Sequence, residues 1–186
     1  MESPLATSSV PVIETARLRL RGHRLDDFAA SAAMWADPAV IRYIGGRLLT
    51  EEEAWARLLR YVGHWTLLGF GYWVVEEKAS GRFVGELGFA ELKRELQPSI
   101  AGVPEIGWVL TSEVHGKGYA TEAAQAAIQW GEGQFGAIRT CCIIHPENET
   151  SIRVAEKCGY RKLRLTTYKT EPTILFMREP AGPVSD

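Results

Sequence analysis

The stretch "EVHGKGYATEAAQAAIQWGEGQFG", residues 113–136, decides how the chain is read. It opens on a glycine turn, Gly116-Lys117-Gly118, and runs straight into a helical pattern with no conventional cap. The first N–H groups of a helix have no intrahelical partner, and the helix dipole adds partial positive charge there. Glycines remove the Cβ atoms that would hold a phosphate off the backbone, so such a turn is a general anion-binding device. Lys117 either adds a charge-assisted contact or faces solvent. Two nucleotide motifs fail. A Walker A loop needs G-x-x-x-x-G-K-[ST], but Lys117 is followed by Gly118 and no glycine stands at the required earlier position. The dinucleotide fingerprint needs glycine or alanine where Thr121 stands, and the neighbouring strands look antiparallel.

Outward from the turn, the pattern is mixed α/β. "EIGWVL" (105–110) precedes it, and "YWVVEE" (72–77) and "RFVGELGFAEL" (82–92) join it in an antiparallel meander turned at "KASG". After it come the strand "RTCCIIH" (139–145) and a helix over "ENETSIRVAEKCG" that stops at Gly159. "YRKLRLTTYK" and "TILFMRE" form a closing hairpin. On the N-terminal side, "RLRLRG" alternates as a strand with one face in water. "RLDDFAASAAMWADP" reads as a helix stopped by Pro38, and a short helical segment follows near Val40 to Tyr43. The next helix, "LTEEEAWARLLRYVGHWTLLGFG", opens with a capping box of Thr50 and Glu53. The loop "KRELQPSIAGVP" is polar and proline-bounded and reads as exposed, and Lys93 to Val103 is a candidate lid. Residues 1–12 read as a flexible lead-in, 13–179 as one domain and 180–186 as a tail.

Composition narrows the classes. The 186 residues suit one α/β domain. A net charge of −2 gives no general attraction to nucleic acid or anionic membrane. Apolar runs fall well short of the ~20 residues that span a bilayer, and the N-terminus lacks the regions of a signal peptide. Cys141, Cys142 and Cys158 fit neither a disulfide framework nor a zinc site; Cys141 and Cys142, in an apolar run, read as small core residues, and a reducing cytoplasm is the default compartment. No metal constellation is visible.

Two motifs carry a resemblance. "EIGWVLTSEVHGKGYATEAAQAAIQW" and, further on, "HPENETSIRVAEKCGY" resemble the acyl-CoA-binding half of the GNAT acetyltransferase superfamily, in its ribosomal-protein N-acetyltransferase (RimJ/RimL-like) branch. The resemblance extends from about Ile13 to Met177. It implies a GNAT α/β (α+β) fold: a central, mostly antiparallel mixed sheet of about seven strands, splayed between strands 4 and 5, flanked by about four helices. It also implies that coenzyme A pyrophosphate binds the turn His115-Gly116-Lys117-Gly118-Tyr119-Ala120, with His115 in place of the family's glutamine or arginine. The family's second motif falls on Asn148, Ser151, Lys157, Gly159 and Tyr160. "EIGWVL" becomes the splayed strand, with the backbone of Trp108, Val109 and Leu110 against acyl-pantetheine and Gly107 suiting a β-bulge that turns the strand outward.

The implied activity is N-acetyl transfer from acetyl-CoA to a primary amine of a small molecule or protein N-terminus, by direct attack in a ternary complex. The alternative is a non-catalytic acyl-CoA-binding or regulatory module on the same fold. Glu105 is the preferred base, directly or through water, with Glu86 the competitor; either also reads as a plain strand carboxylate. The resemblance places Ser151 near the thioester sulfur as a catalytic residue that donates a proton or, the preferred role, positions a water; its plain reading is a first-turn serine bonded locally. Asn148 serves as N-cap or pantetheine ligand. Trp35, Tyr43, Trp55, Trp65 and Trp73 are numerous enough to line an acceptor pocket, though helical aromatics are more often core. Homodimers are common in the family. No motif specifies the acceptor.

Overall fold

The computed structural model describes residues 10–180. The lead-in expected over 1–12 and the tail expected over 180–186 therefore lie outside the described residues, except for residues 10–12 and 180. Pro11 is tied down, its carbonyl accepting the Trp73 indole N–H at 2.8 Å.

Eight strands form a single sheet in the order β1-β2-β3-β4-β5-β6-β8-β7. They are β1 (Ile13–Glu14), β2 (Leu18–Arg21), β3 (Tyr72–Glu77), β4 (Arg82–Ala90), β5 (Glu105–Leu110), β6 (Thr140–Ile144), β7 (Arg161–Tyr168) and β8 (Glu171–Arg178). Five α-helices flank them: α1 (Phe28–Trp35), α2 (Pro38–Ile41), α3 (Glu51–Leu68), α4 (Tyr119–Phe135) and α5 (Glu149–Lys157). The strand beyond the expected seven is the two-residue β1, paired to Arg19 and Leu20. The fifth helix is the single turn α2, whose Asp37 cap accepts from the Ala39 N–H.

Alternation along the strands sorts the sheet into two faces. One face, with Trp73, Leu87, Phe89 and Ile106, packs against Ala123, Ala124 and Ala127 of α4 and Val154 of α5 in the main core. The other face lies under α1 to α3, where Val109 packs with Met34, Trp35, Val40 and Ile41. Cys141, Cys142 and Cys158 are buried, free thiols. Burial pushes the Cys141 thiol up to about 12, so it stays protonated and packs as a small apolar side chain.

The strands are antiparallel except for β5 and β6, which run parallel and pair in register only where Glu105 stands opposite Cys141. Beyond that pair the strands part, opening a V whose apex is Glu105 and whose mouth lies at the strands' C-terminal ends. The bulge expected at Gly107 is not there: β4 and β5 pair without a shift from Gly85–Leu110 to Ala90–Glu105. Glycine is required at 107 for a different reason, a close approach. A Cβ there would lie 2.0 Å from the Tyr72 hydroxyl oxygen.

Candidate active site

The turn expected to cradle an anion sits at the mouth of the V. Gly116 and Gly118 have φ of 78° and 79°, the left-handed region that glycine enters without strain. Gly118 caps α4 with no side-chain hydrogen bond. Among the described residues, the N–H groups of Gly116, Gly118, Tyr119, Ala120 and Thr121 meet no backbone acceptor. The Lys117 carbonyl accepts from Arg17 Nη1 at 2.9 Å. A trans peptide sets C=O and N–H on opposite sides, so this bond aims the Gly118 N–H away from Arg17. Arg17 also bonds Glu122 through Nε at 2.7 Å, which fixes the turn against the first turn of α4. No side chain stands within 4 Å of a Cβ built on Gly116. Residues 115–118 are exposed. The arrangement therefore fits a phosphate.

His115 bonds inward. Its Nε2 lies 3.0 Å from the Leu110 carbonyl, which only accepts, so that nitrogen carries the hydrogen. The side chain ties the turn to the end of β5. Tyr119 is buried and donates its hydroxyl to Glu77 at 2.6 Å.

Ser151, Asn148 and Trp108 meet on the α5 side of the V. Asn148 Oδ1 accepts the Ser151 N–H at 3.1 Å, the N-cap arrangement. The Trp108 indole N–H points to Ser151 Oγ at 3.4 Å, a long contact that reaches from β5 to α5. At the mouth, Tyr43 stacks on His145 with ring centroids 5.4 Å apart.

The opposite face holds the carboxylates. Arg94 Nε and Nη2 engage the two oxygens of Glu105 at 2.6 and 2.8 Å. Burial works against the Arg94 charge, and the Glu105 carboxylate more than offsets it, leaving the guanidinium pKa above its ordinary value. The pair lines a cavity of about 200 Å³ with Ala90, Leu92 and Val103. It also pins the loop over 93–104, whose Leu96 and Ile100 are buried and whose Gln97 carbonyl accepts from Thr166 at 2.6 Å. The loop is anchored at several points. Glu86 is closed off: it is 0% exposed, accepts from Ser31 Oγ at 2.7 Å and Trp35 Nε1 at 3.0 Å, and lies 3.4 Å from His23 Nε2.

The candidate aromatics divide. Trp65 and Trp73 belong to the main core, edge to face with Trp130. Trp35 is buried under Arg57, whose guanidinium lies 3.8 Å from its ring. Trp55 is exposed and meets Phe28. Sequence reasoning missed Arg94 and Tyr72. Arg94 falls in a loop with no periodicity, and the signal for Tyr72 was the row of glycines it crosses, which only the register reveals. Among the described residues no group of three or more His, Cys, Asp or Glu side chains could hold a metal ion. No described helix is long and apolar enough to cross a membrane.

Comparison with known proteins adds four findings. Residues 17–161 match the model for the acetyltransferase (GNAT) domain. YnaD of Bacillus subtilis (strain 168), an uncharacterized N-acetyltransferase, is 31% identical over 150 residues, 81% of this chain and 82% of its own length. The structure of a GNAT-family acetyltransferase from Bacillus anthracis superposes with a TM-score of 0.76 at 26% identity, covering 91% of this chain and 98% of that one. At 14% identity RimL, a ribosomal L7/L12 α-N-protein acetyltransferase solved in complex with coenzyme A, shares the fold with a TM-score of 0.74 over 91% of this chain and 98% of its own.

Proposed function

The chain belongs to the GNAT acetyltransferase family and is an acyltransferase, and from that premise we propose that it moves an acetyl group from acetyl-CoA to a primary amine by direct attack in a ternary complex. The observation that carries this reading is the V between β5 and β6 with the amide cradle of α4 at its mouth. Pyrophosphate fits the free N–H groups of Gly116, Gly118, Tyr119 and Ala120, with His115 holding the turn and the Lys117 and Tyr119 side chains beside it. The pantetheine arm then lies along Trp108, Val109 and Leu110, whose strand edge has no partner past Glu105. That RimL was solved with coenzyme A supports the choice of ligand.

An amine of pKa near 10 is mostly protonated at neutral pH, so a base at the apex of the V accelerates attack. Glu105 stands there and lines the open cavity, whereas Glu86 is sealed beneath α1. Glu105 takes the proton directly or through a water, using lone pairs that Arg94 leaves free. Ser151, oriented by Trp108 and Asn148, positions the sulfur end from the other face. The acceptor, a small-molecule amine or a protein N-terminus, enters over the face that carries Glu105. Three unpaired thiols suit a reducing cytoplasm.

Mass spectrometry across a panel of amines, amino-terminal peptides included, should find a product 42 Da heavier with acetyl-CoA present, the mass of an acetyl group less hydrogen, as in roughly any amide formation of this type. No acetylated product anywhere on the panel would count against the reading. Glu105→Gln should lower kcat by about 100-fold or more while acetyl-CoA affinity is kept.

A further inference from the structure

On the face under α1 to α3, one row of residues carries a hydroxyl to the strand that leaves the sheet. The register sets Tyr72 of β3 beside Gly88 of β4, and Gly88 beside Gly107 of β5. With no side chain on either glycine, the phenol reaches across β4 until its oxygen occupies the place of a Gly107 Cβ, 2.0 Å away from it. The ring is clamped. Tyr61 stacks on it with centroids 4.5 Å apart and planes 6° from parallel, and His23 packs behind Tyr61 at 5.1 Å. Yet the hydroxyl has no hydrogen-bond partner among the described residues. A tyrosine O–H turned inward ordinarily finds a partner, whereas that of half-buried Tyr72 meets none among the described residues. Here the ring is fixed and the polar end is left free at the middle of the splayed strand.

We propose that Tyr72 is a further catalytic residue, its hydroxyl donating a hydrogen bond to the acyl oxygen as amine attack turns that oxygen into an oxyanion. This rests on the reading of β5 as the strand that meets acetyl-CoA. In the attack, the N–C bond forms and the carbonyl π pair moves onto oxygen, where the Tyr72 O–H meets it. On collapse the C–S bond breaks and its electron pair leaves with sulfur. The amine's proton passes to Glu105 and on to the departing thiolate. Tyr72 keeps its own proton throughout. Burial, with the Tyr61 ring and the Glu105 charge adding to it, holds the phenol well above 10. Such a group is a poor source of a proton for a thiolate of pKa near 8.5 and a persistent neutral donor.

The test compares wild type with Tyr72→Phe and Gly107→Ala in full-length protein, by steady-state kinetics, acetyl-CoA calorimetry and thermal unfolding. Tyr72→Phe keeps the stacked ring and removes only the donor. It should lose about 100-fold in kcat, the cost of one oxyanion donor, with acetyl-CoA affinity and Tm unchanged. Gly107→Ala, whose methyl displaces the hydroxyl, should lose kcat similarly. Wild-type kcat in Tyr72→Phe would overturn the proposal and leave acetyl transfer standing. A loss confined to Tm or to affinity would make Tyr72 structural and also overturn it. A wild-type protein that does not bind acetyl-CoA would overturn the cofactor reading, and this inference with it.

Discussion

Two buried acidic side chains on the same face, Glu76 and Asp27, share Arg21. Arg21 reaches Asp27 through two bonds of 2.8 Å and Glu76 through one of 2.7 Å. Burial pushes the Asp27 carboxyl up, and Arg21 with the Arg24 N–H more than reverses it, so the group sits below its ordinary 3.8. A carboxyl depressed in the folded state contributes stability that is present above its unfolded pKa and lost as pH falls through the folded one. Urea midpoints measured down a pH series should therefore hold above about pH 5 and decline below about pH 4. Asp27→Asn leaves Arg21 with Glu76 alone and should cost about 2 kcal/mol, read from the same urea curves, and should flatten that decline. At this scale the sequence disclosed residue types better than environments. Glu105 and Glu86 look alike on paper as strand carboxylates. Only packing makes one the wall of a cavity and the other a sealed acceptor for Ser31 and Trp35. The same limit hid Gly107, whose small size answers to a tyrosine two strands away.

Among the elements, those governed by local rules were legible. Thr50 and Glu53 exchange their capping bonds as the spacing predicts, and α3 runs from Glu51 to Leu68, with Gly69 its left-handed stop. The free amides of the glycine turn were legible because N–H groups at a helix start lack intrahelical partners by geometry, whatever the tertiary fold. What holds that turn was not legible, since Arg17 lies about a hundred residues away in sequence. Arg17→Ala should free the Lys117 carbonyl to rotate, and calorimetry should show acetyl-CoA binding about tenfold more weakly with little change in kcat. Gly118→Ala places a side chain at φ 79° and should cost about 1 kcal/mol of stability as well as affinity.

Across the whole molecule, ligand and fold are linked by mass action. Acetyl-CoA at 100 times its dissociation constant should stabilise the protein by about 2.7 kcal/mol, seen as a raised Tm, and ATP at equal concentration should give a smaller shift. The order of elements, the antiparallel meander and the closing hairpin could all be read from period and turn chemistry. The single parallel contact could not, because it joins Glu105 to Cys141 with all of α4 between them in sequence. The parting of β5 from β6 has a further consequence, for solubility. A sheet that parts in its middle owns two interior edges besides its outer ones, and unpaired edges template association with other chains. Here the gap narrows to one residue pair at Glu105 and Cys141, and the stacked rings of Tyr43 and His145 stand at its wide end. A stray strand finds only the few residues of β5 past Glu105 on which to pair, too short a length to zip. The protein can thus wait with an open sheet and stay a poor seed for aggregation.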